Sequence, residues 1–232
     1  MAAGLELARD VLRQVESAGA GERRAVTVLG DGDRLLAVAE PLRPLLPAGG
    51  LRRGSTVTVR GSTSLLLALL AEASAGGAWS AVVGMPGLGL VAAAEAGVDL
   101  ARLALVPAPG TEVVGVTAAL LDGLDVVAVA GVARLGAAQR QRLAARARSR
   151  GSVLLPLGPW PGADVELTCS DAHWSGLVDD GSGRLRAREV RVHVGGKSAP
   201  GAGREATLLL PAPDGAVQPG RSEEARQVRV AG

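Results

Sequence analysis

The 232-residue chain has no phenylalanine and no tyrosine, and its only aromatic side chains are Trp79, Trp160 and Trp174. Its core must therefore be built from leucine, valine and alanine. Three scattered tryptophans also exclude a base-stacking platform for single-stranded nucleic acid. The single cysteine, Cys169, excludes an internal disulfide and any multi-cysteine zinc site, and suits a reducing compartment. Two histidines, His173 and His193, cannot build a metal centre by themselves, and no metal or cofactor is expected. Lysine occurs once, at Lys197, so arginine carries nearly all the positive charge, a usage that reads as the coding bias of a GC-rich genome. The formal net charge of +2 is too small to argue for nucleic acid. Gly, Glu or Pro interrupts every long apolar run, so no membrane span is expected. No charged-then-apolar leader opens the chain, and a cytoplasmic location is the expectation.

What is present centres on residues 55–72, STVTVRGSTSLLLALLAE. Positions 56–60 alternate β-branched and polar residues, the period of a half-buried strand. Gly61, Ser62 and Thr63 turn the chain, with Ser64 as the N-cap of a helix over 65–75. Strand, glycine turn and helix form the frame in which backbone N–H groups and a helix N-terminus hold phosphate. A working loop needs four residues between two glycines, followed by Lys and Ser/Thr. Here the turn is short, the second glycine is missing, and leucines stand where the lysine belongs.

The remaining chain alternates helices and strands. Residues 5–15 read as an amphipathic helix with Leu5, Ala8, Val11, Leu12 and Val15 on its apolar side. A strand over 25–29 and a turn at 30–33 follow; 34–39 is ambiguous, and 40–54 is an ordered Pro/Gly-rich connection. Strands are predicted over 79–83, 103–106, 125–129 and 153–157, and helices over 88–96, 112–121 and 135–149. This spacing makes βαβ units and a mainly parallel sheet. Beyond Trp160, strands over 164–169, 173–178, 185–194 and 206–210, one turn falling at 179–181, add an antiparallel extension. The expected division is an N-terminal helix and connecting segment (1–46), a core (47–210) and a flexible tail (211–232).

The order of these pieces resembles the RecA recombinase core over roughly 47–210. AGGLRRG at 48–54 running into TVTV at 56–59 looks like the approach to the Walker A strand. AGVDLARL at 96–103 is similar to the stretch before the third strand, and DVVAVAG at 125–131 to the Walker B strand. REVRV at 188–192 fits the C-terminal β extension. The resemblance implies a RecA-like α/β fold. The departures imply lost chemistry: Ala130 stands where the family carries a magnesium-organising Asp, and Met85-Pro86 lies near the position of the catalytic Glu. The connections that hold the DNA-gripping loops in RecA are short here. Gly61, Ser62, Thr63, Ser64 and Ala130 are then vestigial, and the chain is not expected to be an enzyme.

This pattern of losses resembles the actinobacterial ImuA-type proteins. That implies a non-catalytic adaptor in SOS mutagenesis, with an ImuB-like inactive Y-family polymerase and an error-prone polymerase III alpha-type subunit as partners. An inhibitor of cell division of the SulA kind and an ATPase with an unusual phosphate loop stay open as alternatives. Three surfaces are candidates for contact. The apolar side of residues 5–15 suits a partner groove or self-association, although packing on its own domain competes. Trp160, between Pro159 and Pro161, suits an exposed partner contact, with covering of a sheet edge as its alternative. Arg142, Arg146 and Arg150 share a helical face that could meet DNA phosphates weakly or an acidic partner, against the simpler reading of a solvated face. Ser80, Asp171 and His173 do not make a recognisable nucleophile arrangement.

Overall fold

The computed structural model describes residues 3–18, 35–177, 182–199 and 204–220. The helices are α1 (Ala3–Ala18), α2 (Thr63–Ala75), α3 (Leu90–Glu95), α4 (Val113–Leu121) and α5 (Ala137–Arg150). The strands are β1 (Leu35–Leu36), β2 (Leu51–Arg52), β3 (Val57–Arg60), β4 (Ser80–Val83), β5 (Leu103–Val106), β6 (Val126–Val129), β7 (Val153–Pro156), β8 (Val165–Leu177), β9 (Gly183–Gly195), β10 (Glu205–Leu209) and β11 (Gln218–Pro219). The strand expected over 25–29 and the turns at 30–33 and 179–181 lie outside the described residues. The ambiguous stretch 34–39 contributes β1, paired with β2.

Strands β5, β4, β6 and β7 form a parallel sheet in that order. A second sheet runs β3-β8-β9-β10-β11, parallel only between β3 and β8. The two abut through parallel bridges of Thr56 with Leu154 and Val59 with Leu157. The Leu154 N–H donates to Ser55 O, and the Gly158 N–H to Val59 O, each at 3.0 Å. This is the mainly parallel α/β sheet with an antiparallel C-terminal extension that the alternating pattern predicts.

Strands β4, β6 and β7 are buried on both faces, and their alternation feeds two cores. Val126 and Ala128 of β6 join Val153 and Leu155 of β7 on the α2 side. Val127, Val129 and Leu154 face α4 and α5. Helix α2 is apolar almost all round, with Leu65, Leu66, Leu67, Leu69 and Leu70 all buried. A helix of that kind is stable only when enclosed. It packs against Val57, Val59, Val165, Leu167, Val190, Val192 and Val194 in the first core.

Two features of the chain differ from the sequence expectation. The strands predicted over 164–169 and 173–178 are one long strand, β8, whose pairing with β9 shifts between Ser170 and His173. Asp171 takes φ 50° at that irregularity, so a bulge, and not a turn, separates the two apolar patterns. The segment 211–232, expected as a flexible tail, is packed over 211–220: Ala212 is buried and β11 pairs with β10. Residues 221–232 lie outside the described residues. Of the two readings the sequence leaves open for α1, the one found is packing on its own chain. Ala8 is fully buried in the α4 core, with Leu12 packed against it.

One carboxylate ties the N-terminal ends of the parallel strands together. Asp125 Oδ1 accepts from Arg53 Nη1 at 2.7 Å, and Oδ2 accepts from the Trp79 N–H at 2.9 Å. Asp125→Ala leaves both donors without an acceptor in a part-buried site, and is expected to cost about 1–3 kcal/mol. Leu69→Ala, in the centre of α2, is expected to cost about 2–5 kcal/mol. Urea unfolding of the two variants measures both.

Candidate functional site

The turn that follows β3 sits at the C-terminal ends of the parallel strands, where open α/β sheets bind ligands. A cleft of about 330 Å³ opens there, lined by Val59, Arg60, Gly61, Ser62, Thr63, Met85, Ala130, Leu157 and Gly158. The frame of a phosphate site is thus present, and its fittings can be read one by one.

Gly61 takes φ +81°, and a Cβ on it would stand 2.7 Å from the Cys169 carbonyl oxygen. The turn is therefore pressed directly against β8. Ser62 is extended, and its hydroxyl accepts from the Leu65 N–H at 3.1 Å. The N-cap is Ser62, not Ser64, because the chain turns at Gly61 and the helix begins at once with Thr63. One orphan amide of the first turn is thus satisfied by a side chain instead of a ligand. Ser62 also meets the Cys169 thiol. Burial pushes that thiol's pKa up, outweighing the Ser62 hydrogen bond and the positive charge of Arg188. A thiol so placed is a poor nucleophile at neutral pH.

The charged side chain among the lining residues is Arg60, which is paired with Glu166 at 2.9 Å. Met85 and Leu157 bring apolar walls, and Ala130 brings a methyl group to the end of β6. None of the lining residues carries a carboxylate to organise a metal. The helix macrodipole of α2 supplies about 0.3–1 kcal/mol toward an anion, too little for a triphosphate carrying several charges.

The other predicted residues are distributed as follows. Leu5 and Leu12 of α1 are half-buried and Ala8 is fully buried, all on the α4 side of the same chain; the side chains of Val11 and Val15 lie outside the described residues. Within this chain the stripe is thus occupied. Trp160 is 4% exposed, against the expectation of a presented partner contact, because the Pro159–Pro161 turn folds its ring into the α4–α5 core. Arg142 is exposed on α5, as a contact residue must be. Arg146 and Arg150 are turned to Asp122 at the end of α4. Arg146 Nε donates to Oδ1 at 2.8 Å and its Nη2 to Oδ2, and Arg150 Nε donates to Oδ1 at 3.0 Å. Two of the three arginines therefore hold α5 to α4.

Ser80, Asp171 and His173 are not brought together: Ser80 is buried in β4, whereas Asp171 and His173 are exposed on β8. A different line forms across β8, β9 and β10. Ser170 Oγ lies 3.0 Å from His193 Nε2, and His193 Nδ1 lies 3.2 Å from Glu205 Oε2. This serine–histidine–carboxylate order lies on the sheet face turned away from α2, with the His193 and Glu205 side chains 44% and 54% exposed. Asp171 also takes the Ser170 hydroxyl at 3.2 Å. A relay in open solvent lacks the dry, preorganised donors that stabilise an oxyanion, and the line is a polar cross-strand ladder. Asp122 and Ser170 escaped the sequence reading because their partners lie 24 and 23 residues away, with no spacing motif to mark them.

Comparison with known proteins adds a family. The MT3502 N-terminal domain matches residues 44–162, the stretch that runs from the connection before β2 through β7. The chain belongs to this family. The uncharacterized protein Rv3395c of Mycobacterium tuberculosis (strain ATCC 25618 / H37Rv) is 37% identical over 169 residues, which cover 72% of this chain and 76% of that protein. In this family member the matched region contains the whole cleft except the β8 wall behind Gly61.

The Asp122 pair makes a pH prediction. Burial raises the Asp122 pKa, but the hydrogen bonds and charges of Arg146 and Arg150 outweigh it and hold the carboxyl below its usual value. The pair's contribution is then present above the unfolded pKa near 3.9, and lost as pH falls through the lower folded value. With these side chains 30–53% exposed, solvent screening limits the contribution to about 0.5–1 kcal/mol. Asp122→Asn is expected to lower the urea midpoint at pH 7, and the difference from wild type to shrink as the pH falls below the unfolded value and through the lower folded one.

Proposed function

We propose that the chain is a non-catalytic, RecA-like adaptor that supports error-prone translesion synthesis in the SOS response, as an ImuA-type protein of the cytoplasm. It acts through contacts with an ImuB-like inactive Y-family polymerase and with an error-prone polymerase III alpha-type subunit. The observation that carries the reading is the cleft beyond β3. It keeps the place and size of a phosphate site, yet its turn is capped by its own Ser62, backed by Cys169 and walled by Met85, Leu157 and Ala130. A nucleotide frame without the Walker lysine, with Arg60 paired to Glu166 and no carboxylate among its lining residues, serves best as a rigid body presenting surfaces to other proteins. The 37% identical relative comes from Mycobacterium tuberculosis, which agrees with the actinobacterial side of the assignment and with nothing finer.

Three measurements test the proposal. Calorimetry with millimolar ATP or ADP and magnesium is expected to give no binding heat. The purified chain is expected to bind the polymerase relative, and its deletion to lower damage-induced mutation. Magnesium-dependent ATP turnover would favour the unusual ATPase. Filamentous cells on overexpression, with an unchanged mutation frequency in the deletion strain, would favour the division inhibitor.

A further inference from the structure

The hairpin of β8 and β9 outruns the rest of the sheet. The partner strand β3 stops at Arg60, which is in register with Thr168, whereas β8 continues to Leu177. Residues 171–177 are exposed throughout, as are 182–186 on the returning strand, so both faces of this ribbon stand in solvent. Trp174, Leu177 and Leu185 on it are 50%, 56% and 50% exposed. In a chain with three aromatic residues, one tryptophan is held out on a projecting arm while Trp160 is buried.

The returning strand also carries three closely spaced arginines. Arg184, Arg186 and Arg188 alternate with Leu185 and Ala187, and Trp174 lies directly across from Arg188. Arg188 reaches the Gly61 carbonyl at 3.4 Å, which places this part of the arm beside the vestigial turn. Arg184 and Arg186 line the open groove at the arm together with Gly176, Leu177 and Gly183. Asp171, at the base, lies 3.6 Å from Arg191, which spends its charge within the strand pair. Glu189, across from His173, follows Arg188 on β9, and by strand alternation it lies on the face opposite Arg184, Arg186 and Arg188.

From this juxtaposition we infer that the β8–β9 arm is the docking element of the chain, and that its occupant is a protein segment pairing acidic side chains with an apolar anchor. Arginine and tryptophan are the residues that dominate protein interfaces, with apolar neighbours excluding water around them. The guanidinium groups select carboxylates, and Trp174, which its pairing with Arg188 puts on the arginine face of the ribbon, takes an apolar side chain beside them. Nucleic acid fits the arm less well, since its exposed leucines offer nothing to phosphates and its one tryptophan cannot stack successive bases. The inference rests on the adaptor reading above and locates its surface.

Two variants on exposed positions test it: Trp174→Ala, and the charge reversal Arg184→Glu with Arg186→Glu. Arg142→Glu on α5 is the comparison. Each is checked for an unchanged fold by circular dichroism and titrated against the purified polymerase relative at rising salt, and against a fluorescent 20-nucleotide single strand. The expected result is at least tenfold weaker protein binding for both arm variants, with the salt dependence of binding reduced in the charge reversal and Arg142→Glu matching wild type. Wild-type affinity in both arm variants overturns the inference and leaves the adaptor reading standing. No binding by wild type overturns both. Loss confined to the single strand would make the arm a nucleic-acid contact and overturn the protein docking role.

Discussion

The enclosure of α2 is the constraint on which the structure depends. A thirteen-residue helix with leucine on nearly every side cannot rest on a sheet by one stripe. It needs the parallel strands on one side and the N-terminal connection, α3 and the C-terminal strands around the rest, which is where Leu42, Leu51, Ala93 and Leu208 lie. The antiparallel extension is thus part of the same core as the parallel sheet, and so is the segment reaching Leu210 and Ala212. Burying each leucine is favourable by roughly 1.5–3 kcal/mol relative to exposure, so their summed effect is large against any single polar contact.

The same enclosure shapes the cleft. Because leucines begin at position 65, the helix has to start immediately after the turn, and Ser62 becomes its cap. Glycine at 61 lets the turn lie against the β8 backbone, closer than any side chain would allow. The polar groups of the turn are engaged by the protein itself: Ser62 caps α2, and Gly61 lies against β8. Asp122 and Asp125 show the complementary trend at the other strand ends, where charge is spent on holding elements together.

The arm is the opposite case. Strand β8 runs past its parallel neighbour, and beyond Thr168 it has only β9 beside it. An isolated two-stranded ribbon is marginal in water, and this one gains little burial of its own beyond Ala187. Its register is kept by the long paired stem at its base, where Val190, Val192 and Val194 are core. A rigid stem with an uncovered end suits recognition, since little order has to be created on binding.

Periodicity alone determined the alternating helices and strands from Thr63 to Pro156, the parallel arrangement, and the damaged phosphate turn. Those features rest on local repeats of apolar residues and on residue identities at fixed spacing, and both are written in the chain. Tertiary structure decided what each surface meets. Trp160, whose flanking prolines suggest a presented side chain, is buried instead, because burial depends on what lies opposite. The i, i+4 arginines of α5 read as one solvated face, yet two of them find Asp122 on a neighbouring helix. The apolar stripe of α1 meets α4 of its own chain, a contact between segments about 100 residues apart, where no local pattern names the partner.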